Sequence, residues 1–197
     1  MDAPRAVARE VGRRQSSEDM LAVVLAAASD GNERLRETLE TLSAPIYVTD
    51  AEGWVTSYNS ACIDFVGRTP DPGEDRWCVT WRLYTEQGER LAHDECPMAV
   101  AIREARPVRN VVAVAERPDG TRVMFLPHPT PIFDADGRVT GAVNLLVDVT
   151  DRQQADALDV QAARCRRLAQ TLTDSRTVET LGAMAAEYEE KARKLRG

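Results

Sequence analysis

Hydrophobic and polar positions follow three rhythms along the chain. From Met20 to Ala28 the residues are nearly all apolar, and from about Glu33 to Leu42 the leucines Leu35, Leu39 and Leu42 recur on one helical face. Ser16-Ser17-Glu18-Asp19 offers caps and N-terminal acids to the first of these helices, and Ser29-Asp30-Gly31-Asn32 breaks the pattern between them. Ala3 to Gln15, rich in Ala and Arg, reads as a fraying helical terminus.

At Pro45 the rhythm becomes that of strands. Pro45-Ile46-Tyr47-Val48-Thr49-Asp50 and Trp54-Val55-Thr56-Ser57-Tyr58-Asn59, joined by Ala51-Glu52-Gly53, predict a hairpin. A compact helix follows over Ser60 to Val66, stopped by Gly67, and then a loop over Arg68 to Asp75. Glu95 to Glu104 predicts another helix, with Pro97 in its first turn. Three β-prone segments come next, Arg109 to Glu116, Thr121 to Phe133 and Val139 to Val149, separated by Pro118-Asp119-Gly120 and Asp134-Ala135-Asp136-Gly137. Pro127, Pro129 and Pro131 cannot donate to a ladder, so that part of the middle segment belongs at an edge or bulge. Two strands, short helices and three strands make an α+β pattern with one antiparallel sheet.

The last rhythm is helical again. Ala155, Leu158, Ala162, Cys165, Ala169 and Leu172 alternate spacings of three and four, as do Val178, Leu181, Ala185, Tyr188, Ala192 and Leu195. Thr173-Asp174-Ser175 separates and caps them. Such a pair forms an antiparallel αα-hairpin within one chain, or each stripe packs on the same helix of a second chain. Both stripes are mostly alanine and bury less area than a leucine seam would.

Charge sharpens this division. The formal net charge is -7, distributed as -2 over residues 1–40, -6 over 41–150 and +1 over 151–197. All Trp and Phe residues lie in the middle stretch, which marks it as the globular core. With 43% hydrophobic and 29% charged residues the chain is unlike a disordered one, and its acidity argues against general nucleic-acid binding. Arg164, Arg166 and Arg167 have Asp156 and Asp159 close by and read as a solvated helix face. Cys62, Cys78, Cys96 and Cys165 form no CxxC pair, so a reduced cytoplasmic protein is expected, without zinc ribbon or disulfide scaffold. The Met20 to Ala28 run is too short to span a bilayer, and with Glu18 and Asp19 before it is no secretory signal.

Several motifs in register bring a family into view. Ile46-Tyr47-Val48-Thr49-Asp50-Ala51-Glu52-Gly53, Tyr58-Asn59-Ser60-Ala61, Phe65-Val66-Gly67, Arg117-Pro118-Asp119-Gly120-Thr121, Asp134 to Val139 and Gly141 through Arg152 together resemble a PAS domain. PAS domains are small α+β sensory modules of bacterial signalling proteins. The resemblance covers residues 41–152, leaving 1–40 as an N-terminal helical extension and 153–197 as a C-terminal helical hairpin or coiled-coil extension. It implies a five-stranded antiparallel sheet with short helices on one face, and between them a pocket that in some members holds haem, flavin or a metabolite. Trp77 to Ala99 looks like a variant found in PAS domains of histidine kinases. Asp148-Val149-Thr150, followed by Asp151 and Arg152, occupies the place of the Asp-x-Thr element that begins a signalling helix in this family.

The expected pocket residues are Phe65, Trp77, Trp81, Tyr84, Cys96 and Met98, with Trp77 and Trp81 adjacent if that segment is helical. The alternative is that these rings simply fill the core. His93 and Cys96 could share a metal, or Cys96 before Pro97 could ligate haem iron, against the ordinary reading of a buried thiol beside a loop histidine. Cys78, in Arg76-Trp77-Cys78-Val79, departs from the Asn-Cys-Arg-type motif of flavin photosensors. A Cys96 and His93 nucleophile pair lacks an oxyanion-hole motif. No catalytic residue and no metal site is therefore expected. The sequence points to a stand-alone sensor or adaptor, a homodimer that reads a small molecule or a signalling protein through its flanking helices, with no cofactor, no nucleic acid and no membrane insertion. A haem- or flavin-loaded redox or gas sensor is the alternative, and a cysteine-dependent enzyme the next.

Overall fold

The computed structural model describes residues 19–27, 32–171 and 173–196. Expectations for Ala3 to Gln15, for the caps at Ser16 to Glu18, for the break at Ser29 to Gly31 and for Leu172 lie outside these residues. The chain divides into two compact units, one ending at Asp148 and the other beginning at Val149.

The first unit opens with helix α1 over 19–27 and α2 over Asn32–Glu40, then β1 Ile46–Asp50, β2 Val55–Tyr58 and α3 Ser60–Val66. Next come β3 Arg82–Thr85, β4 Arg90–Leu91, a 3-10 turn at His93–Glu95 and α4 Pro97–Glu104. The unit closes with β5 Ala113–Glu116, β6 Arg122–Phe133 and β7 Val139–Asp148. All strands join one antiparallel sheet in the order β2-β1-β7-β6-β5-β3-β4.

That is seven strands where five were expected. The two added strands come from Arg82 to Leu91, inside the segment read only as a family variant. Here Leu83 pairs with Ala115 of β5 and with Leu91 of β4. The turn is closed by Gly88 N–H donating to the Thr85 carbonyl and Thr85 N–H to the Glu89 carbonyl. This hairpin extends the sheet beyond β5, whose other side is paired to β6.

The proline run in β6 fits its place. Pro127, Pro129 and Pro131 sit opposite Leu146, Asn144 and Ala142 of β7, whereas the β5 ladder stops at Phe125. Among the described residues no strand pairs with the second side of β6 beyond Phe125, so missing N–H groups cost no ladder bond. The outward Pro129 carbonyl accepts from Val108 N–H and from the Arg109 guanidinium.

The short helices lie on one face of the sheet, as expected, and the flanking N-terminal helices cover the other. Tyr47, Ala142 and Leu146 point inward with Phe65, Met98 and Phe125 to form the main core. The alternate positions Ile46, Val48, Val143 and Leu145 point the other way and are covered by Leu21, Val24, Ala27, Leu35 and Leu39. The N-terminal helices therefore complete the first unit. Burial on both sides is why successive residues through most of β1 and the middle of β7 are all buried, without alternation of buried and exposed positions.

Asn59 joins these layers. It is the N-cap of α3, and its Oδ1 accepts from Cys62 N–H and Ile46 N–H at 3.3 and 3.1 Å. Its Nδ2 donates to the carbonyls of Leu39, Leu42 and Ala44 at 3.2, 3.0 and 2.9 Å. One buried carboxamide thus caps the end of α2, the start of β1 and the start of α3. At the other end of α3, Arg117 Nε donates to the Phe65 carbonyl at 2.8 Å. Gly141 leaves β7 room to pass close to β1: a Cβ there would lie 2.1 Å from the Thr49 carbonyl oxygen.

The second unit is a helical hairpin, α5 Thr150–Thr171 and α6 Ser175–Arg196. Ala162, Cys165 and Ala185 are buried together against Leu181 and Tyr188. Arg196 reaches Asp156 and Asp159, and Arg166 reaches Glu189, so the helices run antiparallel within one chain. Asp174 caps α6, accepting from Thr177 N–H at 2.9 Å and from the Thr177 hydroxyl. These bonds hold its carboxyl below the usual range.

Asn59→Ala leaves several buried backbone groups unpaired and removes a helix cap, so it should destabilise the first unit by about 3 kcal/mol in denaturant unfolding. A Cβ placed on Gly182 in α6 would meet nothing within 4 Å. Gly182→Ala should raise the stability of the helical hairpin by up to about 1 kcal/mol, read as a higher melting midpoint.

Candidate functional site

The polar groups inside the main core gather around one backbone carbonyl, that of Trp77. Tyr47 on β1 donates its hydroxyl to this oxygen at 3.0 Å, and the Cys96 thiol lies 3.7 Å from it. Asn144, paired with Tyr47 across β1 and β7, donates its amide to the Tyr47 hydroxyl at 3.1 Å. The Thr80 hydroxyl donates to the Cys78 sulfur at 3.2 Å. Two further acceptors face this interior without a partner among the described residues, Asn144 Oδ1 and Thr49 Oγ1, although both residues are buried. Orphaned polar atoms inside an apolar core are costly, and they concentrate where a fold serves something besides stability.

Local backbone geometry presents the Trp77 carbonyl. Trp77 has φ +68°, the left-handed region that a bulky residue rarely adopts. Its N–H donates to the Gly53 carbonyl at 2.7 Å, and its ring lies directly over Gly53. A Cβ on Gly53 would come within 2.2 Å of that ring. The Arg76 guanidinium lies 5.0 Å from the Trp54 ring and 4.9 Å from the Trp77 ring. The β1–β2 turn and the segment before β3 are thereby clamped together.

Burial sets the titration behaviour. It holds the Tyr47 phenol well above its ordinary value, and Cys78 and Cys96 push in the same direction. It pushes the Cys62 thiol up to about 12. Between Cys78 and Cys96 the asymmetry comes first from the hydrogen bond between the two side chains, which draws Cys78 down and Cys96 up. Burial opposes the first shift and adds to the second.

The expected pocket residues separate into two groups. Phe65, Cys96 and Met98 lie in the main core, where Phe65 meets Phe125 edge to face at 5.5 Å, and Trp77 packs against it. Trp81 and Tyr84 lie outside that core. The segment from Trp77 to Trp81 is irregular, not helical, so the two indoles are not neighbours on a helix. Trp81 is 42% exposed, with the Arg82 guanidinium 4.0 Å from its ring, and Tyr84 stacks under Arg122. Asp148 ends β7, and Thr150, Asp151 and Arg152 form the first turn of α5.

Sequence reasoning assigned Tyr47, Asn59 and Asn144 no role. The signal for Asn59 was its place between a strand and a helix, the N-cap position. For Tyr47 and Asn144 it was a polar atom in a strand otherwise apolar on both faces. Nothing in the sequence showed that they meet across two strands.

The residues do not fit a haem ligand pair or a flavin-adduct cysteine. Cys96 is held by Trp77 and Cys78, His93 sits in the 3-10 turn ahead of α4, and Cys78 lies in an irregular segment. Among the described residues no group of three or more His, Cys, Asp or Glu side chains could hold a metal.

An antiparallel sheet with short helices over a partly polar interior is an α+β domain. The family described as the PAS fold matches residues 39–154, and the chain belongs to that family. No curated protein sequence matches it. It is similar to an RNA-binding Light-Oxygen-Voltage receptor at 22% identity and TM-score 0.48, covering 60% of this chain and 33% of that one. The chain thus spans about a third of that receptor's length. It is also similar to the Rhodobacter sphaeroides LOV protein, at 14% identity and TM-score 0.45, covering 83% and 95% of the two chains. A third similar structure is the LOV domain of a blue-light activated histidine kinase from Erythrobacter litoralis, at 20% identity and TM-score 0.44, covering 55% and 98%.

Tyr47→Phe removes the acceptor of the Asn144 amide and one donor of the Trp77 carbonyl, and should cost about 1–3 kcal/mol of unfolding free energy. Gly53→Ala displaces the Trp77 ring. Alkylation of Cys96 in the native protein should then accelerate markedly, while Gly182→Ala leaves it unchanged.

Proposed function

We propose that this chain is a signal-sensing or adaptor module that passes a ligand- or partner-dependent change from its core through β7 into the helical hairpin. The observation that carries this reading is the position of Asn144. It belongs to the buried polar cluster, and it lies on the strand whose end at Asp148 is followed two residues later by α5. A small molecule able to donate hydrogen bonds would satisfy Asn144 Oδ1 and Thr49 Oγ1. It would also disturb the Tyr47 and Trp77 contacts, shifting β7 between two arrangements.

The output is a helix surface, in a three-part organisation of N-terminal helices to residue 40, sensory core over 41–152 and helical pair from 153. Asp148, Thr150, Asp151 and Arg152 form the junction. The partner is a second copy of the chain, or a signalling protein that replaces it. Val160, Leu168 and Met184 support this: they stand exposed at 63, 47 and 39% on the hairpin, with Val160 and Leu168 two turns apart on one face of α5. No helix among the described residues is long and apolar enough to cross a membrane, and a cytoplasmic site is part of the proposal. The buried, mutually bonded thiols favour sensing over cysteine catalysis.

Native mass spectrometry of the freshly purified protein tests both halves. The expected spectrum is a dimer, with or without a bound small molecule. Removing residues 153–197 should lower the oligomer order or abolish partner binding, and a truncated protein that keeps the same oligomer order and the same partner overturns the assignment. Val160→Glu with Leu168→Glu should weaken the dimer without lowering the melting midpoint of the first unit.

A further inference from the structure

The structure assigns Cys78 and Cys96 as a dithiol site: we propose that they close reversibly into an intramolecular disulfide when the protein meets a hydroperoxide. Cys62, Cys78 and Cys96 share the main core; the Cys96 sulfur lies 3.7 Å from the carbonyl of Trp77, the residue next to Cys78, while the Cys62 sulfur is turned to Ile46, and the opposite shifts of Cys78 and Cys96, each set first by the other thiol, agree with that pairing. They arrive from opposite ends of the segment carrying the β3–β4 hairpin, with 17 residues between them. Neither is fixed in a strand ladder. Cys78 lies in the irregular stretch before β3, and Cys96 is the N-cap of α4 and makes no side-chain capping bond. Small backbone adjustments can therefore bring the sulfurs to bonding distance.

The two thiols have different roles. Cys78 receives hydrogen bonds from Cys96 and Thr80 and feels the charge of His93, all of which favour its thiolate, the attacking form. Both thiols are buried, so the hydrogen bond that Cys78 receives from Thr80, and not exposure, makes it the first to react. Cys96 is held protonated as the donor and acts second. Cys62 is excluded, since its thiol is turned to the Ile46 carbonyl at 3.2 Å and pushed up to about 12. Cys165 belongs to the other unit.

The chemistry balances with one hydroperoxide. The Cys78 thiolate attacks an oxygen of hydrogen peroxide and the O–O bond breaks. Hydroxide leaves and takes up the proton lost by Cys78, giving water and a sulfenic acid on Cys78. The Cys96 sulfur attacks the Cys78 sulfur, the S–O bond breaks, and a second water leaves with the Cys96 proton. Two thiols have lost two electrons and the peroxide has become two waters. A cellular thiol reverses the step by exchange. The disulfide ties the start of α4 to the base of the β3–β4 hairpin and withdraws Cys96 from the Trp77 carbonyl, leaving that oxygen to Tyr47. Disulfides of this kind in a reducing compartment are transient and redox-sensing.

The full chain, fully reduced, is treated with increasing hydrogen peroxide, then unfolded in N-ethylmaleimide and digested with trypsin without reductant. The expected product is peptide 77–82 joined to peptide 91–103, lighter by two hydrogens than the pair, with joint loss of maleimide from Cys78 and Cys96 and retention on Cys62. Dithiothreitol should restore both labels. In Cys96→Ser the same dose should carry Cys78 on to sulfinic acid. Full labelling of both cysteines at doses that oxidise the methionines overturns the proposal. So does a cross-link of Cys78 to the Cys62 peptide, or a bridge between chains. If Cys96→Ser fails to fold, the wild-type peptide map decides alone. None of these outcomes bears on the dimer and ligand reading above.

Discussion

The carboxamide of Asn59 is the constraint on which the layered architecture of the first unit depends. Its five hydrogen bonds reach the end of α2, the segment entering β1 and the first turn of α3. The helices on one face and the core on the other are therefore referenced to the same buried atom pair. An amide suits this position because it is acceptor at one end and double donor at the other, and it carries no charge to desolvate. Arg117 serves the opposite end of α3 from the β5–β6 turn. Two motifs distant in sequence, Phe65-Val66-Gly67 and Arg117 to Gly120, are in this way parts of one helix stop.

Around this frame the interior is not uniformly apolar. Tyr47, Asn144, Cys78, Thr80 and Cys96 form a connected polar group, anchored by a carbonyl that Trp77 presents at the cost of a left-handed backbone. Such a group costs stability when half satisfied and gives a sharply defined arrangement when complete. Two unpartnered acceptors and a thiol pair in contact make it the least settled part of an otherwise closely packed core. In the proposed sensing role, a small chemical event there would change which hydrogen bonds can be made, and a closely packed core would pass the change on instead of absorbing it.

Much of the fold was legible because its determinants are local. The Ser60 to Val66 helix ends where Gly67 predicted, Pro97 opens α4, and Asp174 caps α6. The prolines of β6 fall on the half of that strand without a second neighbour. What was misread depended on non-local partners. The hairpin at Arg82 to Leu91 is two short strands with little periodic signal, and only the edge offered by β5 makes them a sheet. Trp77 and Trp81, four apart, suggested a helical pair, but the segment between them follows Gly53, Cys96 and Tyr47 and not its own propensity. Covering of the second sheet face could not be read from α1 and α2 alone, because an amphipathic helix does not declare what it will lie against.

The sequence by itself determined the class of element for most described residues outside 76–94, the membership in the PAS family, and the alanine-rich helical pair that follows β7. These follow from period, capping groups and turn residues, which act over a few residues. Tertiary structure decided which polar side chains share a site, which aromatic rings are buried, and which two of four cysteines touch. Those outcomes depend on strand register and chain crossing: Tyr47 meets Asn144 because β1 lies antiparallel beside β7, and Cys78 meets Cys96 because a hairpin folds the 17 residues between them back on themselves.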